Sequence, residues 1–128
     1  MLWDMLPLAA VALGGALGAV ARYQISLWVH ARYPGPFPLG TFVVNLTGCL
    51  LLGLLVGTLD ARPVTSPQTR LFLGVGLLGA FTTFSTFELE TLVALERGAV
   101  GMAFLYVALS LAEGLAAVAV GVAIARMA

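Results

Sequence analysis

Lysine is absent from this sequence, cysteine and histidine occur once each, and only 9% of the 128 residues are charged. Six arginines balance six acidic residues for a formal net charge of zero. They are scattered, which excludes a nucleic-acid-binding surface and a polybasic lipid patch. A lone Cys49 gives neither a disulfide framework nor zinc-ligand spacing. A lone His30 lacks the converging partners of a metal site and reads as an interfacial residue. No Walker loop, catalytic triad or redox motif is present, so the chain does not read as an enzyme.

What remains is apolar. Hydrophobic residues make up 61% of the chain, far above a soluble domain. Apolar stretches run from Met5 to Ala21, Leu39 to Leu59, Leu71 to Leu95 and Ala99 to Ala125, each near the ~20 residues that cross a bilayer. They are too long and too uniform for the alternating strands of a barrel. The sequence therefore predicts an all-α membrane protein, a single domain over 1–128 with four transmembrane helices at about 5–28, 39–59, 70–96 and 99–125. No basic n-region precedes the first span, which is read as a retained helix and not a signal peptide. The loops at 32–38, 60–70 and 96–101 are too short to hold a soluble domain.

Four spans place both termini and the second loop on one side. Arg62, Arg70 and Arg126 fall there, against Arg22, Arg32 and Arg97 on the other. With no arginine bias to orient it, the chain is expected to insert both ways and to pair as an antiparallel, dual-topology homodimer. Gly14 with Gly18 and Gly53 with Gly57 have the spacing that lets helices approach closely.

Polar residues inside spans are expensive and mark sites or interhelical bonds. Thr41 and Asn45 share a face of the second span, and Tyr106 and Ser110 share one of the fourth. The Asn45 amide offers two donors without formal charge, suited either to an anion or to a bond between helices. Arg22 either snorkels to the headgroups or lends positive potential to an aqueous vestibule. Glu113 sits mid-span with no basic residue within a turn, and reads as protonated, facing water or facing a partner helix.

The densest run is GLLGAFTTFSTFELE, residues 76–90. Glycines followed by β-branched residues predict a helix break near 79–83, whose freed carbonyls are ready cation ligands. Two such breaks meeting on a two-fold axis would enclose one small monovalent cation. Phe84 and Phe87 share a helical side, which by itself reads as core packing. In a narrow pore their positive ring edges would instead meet an anion.

GGALGAVARY (14–23), GTFVVNLTG (40–48) and GAFTTFSTFE (79–88), with YVALS (106–110), resemble the signature segments of the Fluc, or CrcB, fluoride channels in order and spacing. The resemblance implies an antiparallel homodimer in the cell (inner) membrane, with two fluoride pores and a structural Na+ at its centre. It implies that Phe84 and Phe87 turn ring edges to fluoride and that Asn45 lines the pore. Thr41, Glu88, Tyr106 and Ser110 would form a polar track, helped by Ser85 and Thr86. Arg22 would stand at the vestibule, and the backbone carbonyls of Gly79 and Thr82 would bind the sodium. Glu113 matches no motif of the family. The expected activity is passive fluoride export, with membrane lipid and a second copy as partners and no nucleic acid. The rival class, a small dual-topology, proton-coupled multidrug exporter, needs a carboxylate in its first helix, where this chain has only Asp4 at the edge.

Overall fold

The computed structural model describes residues 5–61 and 66–127. Asp4 and Arg62 lie outside the described residues. Four helical spans are long and apolar enough to cross a membrane: Met5–Arg32, Leu39–Asp60, Pro67–Glu96 and Val100–Met127. This is a multi-pass, all-helical membrane protein, and no strand occurs among the described residues.

Helix α1 covers Met5–Arg32 and α2 covers Leu39–Ala61. The third span is a series: α3, Pro67–Arg70; a π-helical stretch, Leu71–Leu78; α4, Gly79–Phe81; and α5, Phe84–Glu96. Helix α6 covers Val100–Met127. Of the ends that fall outside the limits expected from hydropathy, two have a clear local reason. Helix α1 continues past Trp28 because the Arg32 guanidinium lies over the Trp28 ring, 4.6 Å from its centroid, one turn away on the same face. The third span starts at Pro67, before the apolar run. There the Ser66 side chain accepts the Thr69 N–H at 3.2 Å, and proline occupies the first turn, where no N–H is needed.

The spans pack as two tight pairs, α2 against α6 and α1 against the π-helical stretch and α4. Lipid supplies no hydrophobic drive for such pairing, so close backbone approach must provide it. Glycine makes the approach possible in both. A Cβ on Gly14 or Gly18 would fall on the Phe72 or Leu77 carbonyl of the third span. A Cβ on Gly53 or Gly121 would fall on the Val118 or Leu50 carbonyl across the α2–α6 seam. Gly76 removes a side chain from the π-helical stretch where it presses on α1, a Cβ there lying only 2.9 Å from the Val11 carbonyl.

Helix α5 turns back into α6 through a Schellman motif. Gly98, at φ 74°, donates to the Leu95 carbonyl at 2.9 Å, and Ala99 donates to Ala94 at 2.9 Å. The outcome is an antiparallel α5–α6 hairpin. At the far end, Asp60 and Arg126 approach to 4.0 Å, both largely exposed, which contributes little to stability.

The seam generates a prediction. Gly53→Leu should destabilise the protein by about 1–3 kcal/mol or more through overpacking, read as a lower thermal midpoint in detergent. Gly101→Ala, where a Cβ meets nothing within 4 Å, should leave the midpoint unchanged.

Candidate functional site: a polar and aromatic line on the third span

Between α4 and α5, Thr82 and Thr83 adopt extended backbone, at φ −82°, ψ 159° and φ −149°, ψ 115°. Both are β-branched, and that conformation suits them. Extended residues at membrane depth leave helical donors and acceptors without partners, and here other helices supply some of them. The Asn45 side chain pairs with Thr83 in both directions: Thr83 N–H donates to Asn45 Oδ1 at 2.7 Å, and Asn45 Nδ2 donates to the Thr83 carbonyl at 3.0 Å. Arg22 Nε donates to the Ala80 carbonyl at 3.1 Å. Thr83 caps α5, its Oγ1 accepting the Thr86 N–H at 3.3 Å and donating to Thr86 Oγ1 at 2.9 Å. Thr82 Oγ1 turns back to the Leu78 carbonyl at 3.1 Å.

With Thr83 N–H bound to Asn45 and Thr86 N–H to Thr83 Oγ1, the carbonyls of Gly79 and Thr82 lose their helical donors. Gly48 makes room for this arrangement, since a Cβ there would fall on Thr82 Cγ2. A cleft of about 280 Å³ lies alongside, lined by Asn45, Gly48, Cys49, Gly79, Thr82 and Phe84 among others.

A second polar centre sits further along α5. Thr41 Oγ1 and the Tyr106 hydroxyl each donate to the Glu90 carboxylate at 2.8 Å. Thr41 is buried and Tyr106 is 1% exposed, so the three groups form a closed link from α2 through α5 to α6. The Tyr106 ring also meets Phe87 edge-on at 5.1 Å and Phe37 at 5.3 Å. Phe84 follows at 5.8 Å from Phe87. Phe87 is buried at 6% exposure, whereas Phe84 is 71% exposed. Thr41 and Glu90 further line a cleft of about 640 Å³ that also holds Tyr23, His30 and Arg97.

The residues singled out from sequence therefore divide. Asn45, Thr41, Phe84, Phe87, Thr82, Thr86 and Tyr106 come together along α5, and half-buried Ser110 lies one turn beyond Tyr106 on α6. Gly79 and Ser85 are exposed on the single chain. Arg22 is half-buried against Ala80 and lines neither cleft. Glu88 is exposed and stands apart from Thr41 and Tyr106. The carboxylate that joins them is Glu90, which sequence reasoning passed over. The signal was available: Glu90 is three residues beyond Phe87 and shares its helical side, whereas Glu88 is adjacent to it. His30 is exposed and Phe81 is buried.

Asn45→Ala should leave the Thr83 N–H and carbonyl unpaired, at about 1–3 kcal/mol per group. Faster amide exchange in a peptide spanning residues 82–86, with α6 peptides unaffected, is the expected reading in hydrogen–deuterium exchange mass spectrometry.

Residues 9–122 match the family profile described as "CrcB-like protein, Camphor Resistance (CrcB)". The chain is 52% identical over 114 residues to a protein of Acidobacterium capsulatum named "Fluoride-specific ion channel FluC", covering 89% of this chain and 91% of that one. Proteins of the same name from Stutzerimonas stutzeri, at 48% identity with 92% and 95% covered, and from Agrobacterium fabrum, at 46% with 95% and 98% covered, are also similar. These names are those of ion channels and not of enzymes. Matched through all four spans, the chain belongs to the CrcB (FluC) family of fluoride-specific ion channels.

Proposed function

We propose that this chain forms a passive, fluoride-selective channel in the cell (inner) membrane, as an antiparallel, dual-topology homodimer with the third helix broken at Thr82–Thr83. The observation that carries the reading is the line of rings and uncharged donors on α5 and its neighbours. Exposed Phe84 leads to Phe87 and Tyr106, with the hydroxyls of Thr41, Tyr106 and Ser110 nearby. Fluoride is small and strongly hydrated, so a path for it must replace water by several modest donors. A cationic side chain in that line would hold the ion too tightly. Relatives named as fluoride-specific channels support the choice of anion.

Pairing follows from exposure. Phe84, Gly79, Ser85 and Glu88 are exposed on one chain, although they lie in a span apolar enough to cross the membrane. A second copy covers such groups without leaving polar atoms in lipid. Balanced arginines on the two sides remove the bias that would otherwise force parallel insertion. Two copies give two equivalent lines, hence two pores.

The donor set also suits a central Na+. Gly79 and Thr82 offer carbonyl oxygens without helical donors, and a hard monovalent cation takes such ligands. Two carbonyls from one chain are too few to enclose the ion, so the site is completed on the dimer axis. Bound there, the ion would hold the two Thr82–Thr83 links together.

Export needs no energy-coupling group. Fluoride enters as neutral HF and dissociates in the less acidic cytoplasm, and an inside-negative potential drives the anion outward at about 2.3 kcal/mol per 100 mV. The exporter alternative is disfavoured because α1, Met5–Arg32, carries no aspartate or glutamate.

Reconstituted into liposomes, the protein should release fluoride rapidly once an ionophore balances charge, with negligible chloride efflux. Vesicles that hold fluoride as well as empty ones refute the channel. Phe84→Ala and Asn45→Asp should each lower flux by about tenfold or more, the loss of about 1.4 kcal/mol of interaction, while the dimer still elutes intact from a sizing column. Unchanged flux would remove those residues from the pore.

A further inference from the structure

The cleft of about 640 Å³ lies at the end of the bundle where α1 and α5 finish and α2 and α6 start, bounded by Phe37 of the first connection and Arg97 of the third. It therefore opens toward the aqueous side and not toward lipid. Its depth can be read along α5. Glu90, Val93, Ala94 and Arg97 all line it, a spacing of three, four and seven residues that keeps one face of the helix turned inward. Seven residues rise by about 10 Å, so the cleft runs from Arg97 at its rim to Glu90 and Thr41 at its floor. There the buried tie to Tyr106 begins.

The charge at this mouth is set by few groups. The N-termini of α2 and α6 and the C-termini of α1 and α5 meet there, and their opposite dipoles largely cancel. At the floor, the Glu90 carboxylate already accepts from Thr41 and Tyr106. Arg32 lies over the Trp28 ring and does not line the cleft. Arg22 lines neither cleft and donates to the Ala80 carbonyl. Arg97 is different: it lines the cleft, is exposed, and its guanidinium makes no ion pair or side-chain hydrogen bond among the described residues. His30, on the last turn of α1, adds an imidazole to the same wall.

We propose that this cleft is the hydrated mouth of the anion path and that Arg97 gathers small anions into it, its free guanidinium raising their concentration two helical turns above the floor. The proposal rests on the fluoride-channel reading above. A volume of about 640 Å³ holds on the order of twenty waters, so an anion enters the cleft with its hydration shell. Beyond the floor Tyr106 is 1% exposed, and the shell is left behind there. At the rim the arginine attracts from a distance. It stays outside the line of neutral donors, where a cation would hold the ion too tightly.

The test is the initial rate of fluoride efflux, at subsaturating fluoride, from phosphatidylcholine proteoliposomes, whose lipid adds no net surface charge. An impermeant salt sets the ionic strength. At about 10 mM the Debye length is about 30 Å and at about 1 M it is about 3 Å, so the field of Arg97 spans the cleft only in the first case. Arg97→Gln should lower the rate by about threefold or more at low salt and by less than about 1.5-fold at high salt. Arg97→Lys, which keeps the charge, should match the wild type at both. Wild-type rates in Arg97→Gln at low salt, a loss that persists at high salt, or a loss shared by Arg97→Lys overturns the proposal. Wild-type vesicles that hold fluoride at both salt concentrations refute the channel reading itself.

A second measurement varies only the sign of the charge. Arg97→Cys, labelled in detergent before reconstitution so that every copy reacts, should regain flux with a trimethylammonium methanethiosulfonate and lose more with a sulfonate one. Wild-type protein carried through the same labelling gives the contribution of half-buried Cys49. Equal effects of the two reagents at low salt leave the charge without a role and overturn the proposal.

Discussion

The paired hydrogen bonds between the Asn45 amide and the Thr83 backbone determine where the third span leaves helical geometry and where it resumes. A peptide group with no partner costs several kcal/mol inside a bilayer, so extended residues persist there only where another element supplies donors and acceptors together. Asparagine supplies one of each from a single planar group. Aspartate lacks the donor, and glutamine would hold the amide one methylene further from α2.

The remaining geometry follows from that pairing. Asn45 sits one turn from Thr41, so the same face of α2 that holds Thr83 also holds Glu90, seven residues on. Helix α5 is thus tied to α2 at its first residues and again two turns later. Tyr106 carries the second tie across to α6. Arg22 completes the frame from α1 by accepting a role usually met by a helix C-cap, donating to the last turn of α4 through Ala80. All four spans thereby converge on one short stretch of chain, and the apolar packing elsewhere is tight enough, through glycine contacts, to hold them there.

The four spans were legible in hydropathy alone, because a bilayer demands long uninterrupted apolar runs. The Gly14–Gly18 and Gly53–Gly57 spacings likewise pointed to close packing, and Gly14, Gly18 and Gly53 lie on backbone of a neighbouring span. Asn45 was visible as an expensive residue, but its partner was not: Thr83 is 38 residues away, and no local periodicity encodes a contact between spans. The glycines of 74–79 and the β-branched residues after them suggested a break near 79–83; the chain stays helical through Phe81 in π and α turns and is extended at the two threonines. At Gly76, close packing against α1 outweighs the weak helix propensity of glycine. Glu88 and Glu90 are indistinguishable by composition, and only the rotation of α5, set by the contact of Phe87 with Tyr106, selects Glu90.

The extended Thr82–Thr83 link also uncouples two helical phases. An unbroken helix propagates any rotation along its whole length, so a change in how its first half packs would turn every side chain of the second. Two extended residues absorb such a rotation, and each advances the chain about 3.3 Å where a helical residue advances 1.5 Å. The stretch that packs on α1 and the stretch that carries Phe84, Phe87 and Glu90 are therefore separate units of variation. Substitutions that retune the glycine seam with α1 leave the orientation of the aromatic line to be set by its ties to Asn45, Thr41 and Tyr106.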